Sequence, residues 1–294
     1  MGDLQTGDFW REAARLRAQA QSPLTRGLAK RRFGDLCKAS AGTDLFVETT
    51  IARLPVRLNL REPADREIYL FGRGDPRGLG AIEAVMARLD CRTAWDVGVN
   101  RGNHSSFMRL HCRRLFGFEP NPAEFQRASS LMASEANVTL LNIGLSDQEG
   151  ELPFMIDEQD SGGSTFAVDR EKANFVAEVR TGDSVAAQYG LTDIDFIKID
   201  VEGYEKNVLR GISGVIATSR PVIVVEILQQ QNTDTENIVG FLPGYAAFGN
   251  RMNLASNLYL KPYTFCRFEI GKTYMCAMLV PMEKLDRLAP LLPR

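Results

Sequence analysis

Asp200 and Glu202 stand one residue apart at the end of an apolar stretch, in Ile197-Lys198-Ile199-Asp200-Val201-Glu202-Gly203. Two carboxylates this close are costly to bury without a partner, so they call for a cation, a metal or a hydroxyl. Either can take a proton from a hydroxyl, and a base positioned for that task is worth roughly 10²–10⁴-fold in rate. Asp200 is the first candidate base and Glu202 the second. Glu226 ends another strongly apolar stretch and can hold a hydroxyl or join Asp200 on a divalent metal. A hard cation usually takes more oxygens than these two supply, so the use of a metal stays open. His104 has a side chain suited to proton transfer near neutrality, or to touching a bound carboxylate.

Upstream, Asp96-Val97-Gly98-Val99-Asn100-Arg101-Gly102 lies where an apolar segment gives way to a helical one. Glycines there let the backbone approach a ligand, and the free N–H groups of a helix start favour a phosphate or a carboxylate. Asn100 occupies the place of the second glycine of a dinucleotide fingerprint, which counts against a pyrophosphate. Glu119 follows Gly98 by 21 residues, in Phe118-Glu119-Pro120-Asn121-Pro122. An acidic residue at that distance, ending the next strand, can accept both hydroxyls of a ribose. An adenosine-containing cofactor without a pyrophosphate fits both features, and S-adenosylmethionine is one. Its sulfonium would also be a cation for the paired carboxylates.

The elements that must position these groups are legible. Short apolar segments at 93–97, 115–119, 138–145, 195–200 and 221–228 alternate with helical patterns at 102–111, 122–134 and on to 209. That spacing predicts βαβ units and a parallel sheet. The tail from 241 to 280 carries Phe241, Tyr245, Phe248, Tyr259, Tyr263, Phe265, Phe268 and Tyr274. It predicts antiparallel strands finishing the same sheet, with most of these rings in the core. Residues 157–164 read as a loop, and Ser161-Gly162-Gly163-Ser164 within it as either a lid or acceptor-contact segment or a plain surface loop. Ahead of the sheet, residues 45–60 predict a hairpin or two edge strands, and 64–89 predict helix broken at 72–76. The division expected is an N-terminal helical and hairpin extension at 1–92 and a cofactor-binding domain at 93–294.

Composition narrows the class. The 294 residues are 44% hydrophobic and 24% charged, with a net charge of -2, which excludes a disordered chain and argues against a polybasic nucleic-acid binder. Five scattered cysteines without a C-x-x-C pair indicate neither a disulfide framework nor a structural zinc site, and point to a reducing cytoplasm. No apolar run approaches the ~18 residues of a membrane span, and the N-terminus lacks the features of a signal peptide. The charge is split, +4 over residues 1–40 and -6 over the rest. The basic head around Phe9-Trp10, Ala13-Ala14 and Leu16 reads as a helix, either packed on the body or laid on an anionic membrane surface.

Taken in order, DVGVNRGNHS (96–105), FEPNP (118–122), NIGLSD (142–147), RTGDSV (180–185), DFIKIDVEGYEKNVLRG (195–211) and PVIVVE (221–226) resemble the FkbM-type family of S-adenosylmethionine-dependent methyltransferases. The resemblance implies an α/β fold of the Rossmann-like class I methyltransferase type: a seven-stranded, mostly parallel sheet with helices on both faces and a reversed final strand. It assigns Asp96, Gly98, Asn100 and Gly102, with the adjoining Asn103 and His104, to the methionine part of the cofactor. It places Glu119, Pro120 and Asn121 at the ribose and Leu145 and Ser146 near the adenine. Asp200, Val201 and Glu202 then face the reacting methyl. The implied activity is O-methylation of a sugar hydroxyl in a glycan, glycolipid or glycosylated metabolite. Related oxygen methyltransferases place magnesium at comparable strand ends, here Asp200 and Glu226. Expected partners are such an acceptor, a membrane surface at the basic head and a second copy of the chain, with no nucleic acid. A non-sugar natural product as acceptor, a nicotinamide-dependent oxidoreductase and a non-catalytic binding module are the alternatives.

Overall fold

The computed structural model describes residues 6–22, 24–40, 44–157, 163–166, 171, 173–227, 242–250, 265–269 and 274–293. Phe241, Tyr259 and Tyr263 of the aromatic tail, residue 228 and most of the 157–164 loop lie outside them. The chain divides into two compact units, Met1–Ala81 with Asn253–Tyr263, and Ile82–Met252 with Thr264–Arg294.

In the first unit, α1 (Thr6–Ala20) buries Phe9, Ala13, Leu16 and Ala20, one apolar stripe at helical spacing. It packs on α2 (Arg26–Ala39), which buries Ala29, Phe33 and Cys37, and on α3 (Pro63–Phe71). The apolar face of the basic head is thus spent on neighbouring helices. Helix α2 was not expected: Gly27, Gly34 and five basic residues blur its pattern. The hairpin of β1 (Phe46–Ile51) and β2 (Leu54–Asn59) is as expected. Its two turn residues, Ala52 and Arg53, both have positive φ, as the tightest hairpins require. The helical stretch breaks at Gly72, and α4 (Pro76–Leu89) follows.

The second unit is built on an eight-stranded sheet. Five parallel strands, β3 (Cys91–Val97), β4 (Cys112–Phe118), β5 (Val138–Leu141), β10 (Ile194–Ile199) and β11 (Val222–Glu226), are followed by β12 (Tyr245–Asn250), β13 (Phe265–Arg267) and β14 (Cys276–Pro281). The order is β13-β12-β14-β11-β10-β3-β4-β5, and β14 runs antiparallel to β11 and β12. This is the expected class I sheet with its reversed strand; among the described residues it has eight strands where seven were expected, the three-residue β13 extending the edge beyond β12. Helices cover both faces. Side chains alternate along β3, so Trp95 meets the start of α7 (Gly182–Tyr189), while Asp96 meets Ser105 of α5 (Asn103–Met108). Helix α6 (Pro122–Leu131) follows β4, and α8 (Glu205–Gly211) and α9 (Ser213–Ser219) follow β10. A short α10 (Leu285–Leu288) comes after β14. Of the tail aromatics described, Phe248, Phe265 and Tyr274 are buried, and Tyr245 and Phe268 pack partly buried against the core.

The expected single strand over 138–145 is two strands. It breaks at Asn142-Ile143, where Asn142 Nδ2 donates to the Glu119 carbonyl at 2.8 Å. Beyond the break, β6 (Gly144–Leu145) joins a second sheet with β7 (Gly150–Met155), β8 (Thr165–Phe166) and β9 (Phe175–Arg180), ordered β6-β9-β7-β8.

Candidate active site

The register levels Val97, Ile199 and Val225 across β3, β10 and β11. The residues that follow them, Gly98, Asp200 and Glu226, therefore stand at one height along the carboxyl edge, where open α/β sheets bind ligands. Gly98 has φ of +84°, and a Cβ on it would lie 1.8 Å from the Asp200 carbonyl oxygen. Only glycine lets the β3 turn approach β10 so closely. Asn100 is left-handed without being glycine (φ +50°), and its Oδ1 accepts the Arg101 N–H at 2.7 Å.

Glu119 braces that turn from the end of β4. Its Oε2 accepts the Asn100 N–H at 2.7 Å and its Oε1 the Asn121 N–H at 2.9 Å. It is 7% exposed, and burial pushes its carboxyl up to about 7 against the pull of these two donors. Each oxygen keeps a lone pair for a further donor. Asn121 turns its own side chain to the Ala123 N–H and caps α6.

Beneath the edge lies a charge cluster centred on Lys198. Its Nζ is 3.0 Å from Asp96 Oδ1, 3.1 Å from the Gly98 carbonyl and 3.2 Å from Asp200 Oδ2. Asp96 Oδ2 accepts the Ser105 hydroxyl at 2.6 Å. Burial pushes the Asp200 carboxyl up, but the Lys198 charge and a hydrogen bond from Glu226 outweigh it and hold it below the usual carboxylate range, with His104 adding to the pull. Glu226 moves the other way, well above that range, first through the Asp200 charge and then through burial. Of the two, Glu226 keeps a proton the more readily. Among the described residues, no group of three or more His, Cys, Asp or Glu is arranged to hold a metal.

These groups face a cavity with about 660 Å³ of empty space, part of it open to solvent. Of the residues singled out in the sequence, Gly98, Asn100, Glu119, Pro120, Leu145, Asp200, Val201, Glu202 and Glu226 line it. Asp96, Gly102, Asn103, His104, Asn121 and Ser146 do not. Asp96 is fully buried under the turn, and Gly102 packs on Met132 and Ala128 around α6. Asn103 and His104 begin α5. Ser146 is buried with its Oγ 3.0 Å from the Tyr204 hydroxyl.

On the opposite wall, Phe154 of β7 and Phe166 of β8 line the cavity, residues that the sequence did not mark, together with Ser164 from the loop expected as a lid or contact segment. Thr165 Oγ1 donates to the Glu202 carbonyl at 2.8 Å, which ties β8 to the turn after β10. Lys198 carries a signal of its own: a lysine inside a fully buried strand must find anions to be there at all.

A family model described as the methyltransferase FkbM domain matches residues 96–252. The hexuronic acid methyltransferase AglP of Haloferax volcanii is 30% identical over 131 residues, 44% of this chain and 54% of that protein. The 2-O-methyltransferase NoeI of Sinorhizobium fredii is 25% identical over 166 residues, 50% of this chain and 66% of that protein. The matches thus span between half and two thirds of these relatives' lengths. A solved structure of methyltransferase FkbM from Methylobacillus flagellatus superposes with a TM-score of 0.43 at 16% identity, over 65% of this chain and 44% of that one. The family model takes in the Gly98 turn, Glu119 and the Asp200–Glu226 edge together, and by that match the chain belongs to the FkbM methyltransferase family.

Proposed function

We propose that this chain is an S-adenosylmethionine-dependent O-methyltransferase whose acceptor is a sugar hydroxyl in a glycan, glycolipid or glycosylated metabolite. The observation that carries the reading is Glu119: a buried carboxylate, held by two backbone N–H groups, with lone pairs left for a ribose at the cavity wall. Gly98 and Asn100 would take the methionine end, and Pro120 and Leu145 would border the adenosine. Asp96, Asn121 and Ser146 support this site from behind, through Lys198, the α6 cap and Tyr204. When bound, the cofactor supplies a methyl on a positively charged sulfur. One matched relative is named for a hexuronic acid and the other for 2-O-methylation, which supports a sugar oxygen as acceptor.

Asp200, its carboxyl held low by the Lys198 charge, accepts the acceptor hydroxyl's hydrogen bond and aims its oxygen lone pair into the cavity. A weak base suffices here. An alcohol oxygen gaining a methyl becomes strongly acidic, so its proton passes late to Asp200. Glu226, hydrogen-bonded to Asp200, keeps it oriented. Alignment of the two reactants can contribute roughly 7–11 kcal/mol. We assign cofactor binding to the domain at 93–294, acceptor determinants to the segments 1–92 and 229–294 that the matching motifs leave uncovered, and the reducing cytoplasm as the compartment.

The test is label transfer from S-adenosyl-[methyl-³H]methionine to glycosides of neutral hexoses and of hexuronic acids. Alkali-stable label on a sugar is expected. Label that enters only non-sugar metabolites would contradict the sugar reading.

A further inference from the structure

Strand β10 is buried along its whole length, yet its fifth residue is a lysine, 4% exposed. An ammonium has three N–H donors. Here three oxygens take them: Asp96 Oδ1 at 3.0 Å, the Gly98 carbonyl at 3.1 Å and Asp200 Oδ2 at 3.2 Å. Glu226 adjoins the same group across the register, hydrogen-bonded to Asp200. Carboxylates and a backbone carbonyl around one point are the donor set a hard divalent cation takes. The spacing, however, is that of N–H···O hydrogen bonds; oxygens binding magnesium sit at about 2.0–2.1 Å and calcium at about 2.3–2.6 Å. The centre is filled by a covalently tethered cation, and a metal placed there would collide with it.

We propose that Lys198 is a positioning residue that serves as the built-in cation of this site: it takes the place a divalent metal would fill between Asp96, Asp200 and the Gly98 carbonyl, and fixes Asp200 at the cavity edge. The transfer reaction then runs without a divalent metal. This last part rests on the methyltransferase reading; the cation arrangement itself does not. Lys198 links two things that must be in register, the β3 turn and the carboxylate on β10, and no chelator can remove it.

The test uses the full chain and Mn²⁺ as the probe, followed by the paramagnetic resonance signal of the free ion. Wild type is expected to take up no Mn²⁺ at 100 μM. EDTA should change S-adenosylmethionine affinity and transfer rate by less than about twofold. Lys198→Ala leaves a hole ringed by the same oxygens and should bind one Mn²⁺. It should also lose at least ~10² in kcat while KM for S-adenosylmethionine stays within about tenfold. A lysine that only stabilised the fold would produce neither the Mn²⁺ site nor that split. Stoichiometric Mn²⁺ on wild type, loss of transfer in EDTA, or no Mn²⁺ uptake by a folded Lys198→Ala overturns the proposal. Should Lys198→Ala fail to fold, the two wild-type arms decide. Failure of the methyltransferase reading would appear separately, as no S-adenosylmethionine binding by wild type, and would leave the Mn²⁺ arms intact.

Discussion

Glu119→Gln isolates the residue on which the cofactor reading turns. In the native turn each carboxylate oxygen accepts one backbone N–H, from Asn100 at 2.7 Å and Asn121 at 2.9 Å. Glutamine keeps one oxygen and turns an NH₂ group toward the other N–H. One buried donor then loses its acceptor, which costs about 1–3 kcal/mol of stability. Binding loses something further. Hydrogen bonds to a charged acceptor are worth ~1.5–3 kcal/mol and to a neutral one ~0.5–1.5, a difference of ~1–1.5 for each ribose hydroxyl. Two hydroxyls give ~2–3 kcal/mol, or roughly 30–150-fold weaker affinity. The assay is calorimetric titration with S-adenosylmethionine, repeated with its 2′-deoxy analogue to close a double-change cycle. If Glu119 holds the ribose, the two losses overlap and the combined change falls short of their sum. An affinity within twofold of wild type in a folded variant, or full additivity with the deoxy analogue, would refute the assignment.

Three further outcomes follow from the same geometry. Glu119 has its carboxyl raised from 4.5 to about 7 in the fold, so the folded chain binds more protons than the unfolded one between those values, and this group's stabilisation declines as pH rises through them. A ribose favours the ionised form, so affinity for S-adenosylmethionine should climb from pH 5.5 to 7.5 in wild type relative to Glu119→Gln; parallel profiles would count against it. Gly98→Ala drives a Cβ to 1.8 Å from the Asp200 carbonyl at a φ of +84°, and should cost roughly 3 kcal/mol or more by urea denaturation. A loss below about 1 kcal/mol would mean that the turn is not packed as described. Asp200→Asn should leave cofactor affinity within about tenfold but lower turnover by at least ~10², and unchanged turnover would remove Asp200 as the base.

The parallel half of the sheet was readable because short, mostly apolar strands alternate with helical patterns, the mark of βαβ units. The shape of the turn was readable for a different reason: Gly98 and Asn100 hold left-handed φ, and glycine and asparagine are the residue types that tolerate it. The small sheet was not. Strands β6 and β8 have two residues each, and β6 pairs with β9 more than thirty positions away, so no local period announces them. Pro153 in β7 points away from a strand, yet opposite its β9 partner Val176 it costs nothing visible in the pairing. Only β9 carries a signal, with Ala177 and Val179 turned inward and Val176 and Glu178 outward. Asp96 was legible as important but not in its role. Its position beside the Gly turn gives no sign that Lys198 and Ser105 would consume both its oxygens from opposite sides. One contact comes from the neighbouring strand and the other from helix α5, and a one-dimensional reading has no access to them.

The most direct test of the cofactor site is calorimetry on the full chain with S-adenosylmethionine and with NAD. One equivalent of S-adenosylmethionine per chain, displaced by S-adenosylhomocysteine and with no heat from NAD, is the expected result. Binding of NAD with none of S-adenosylmethionine would contradict it.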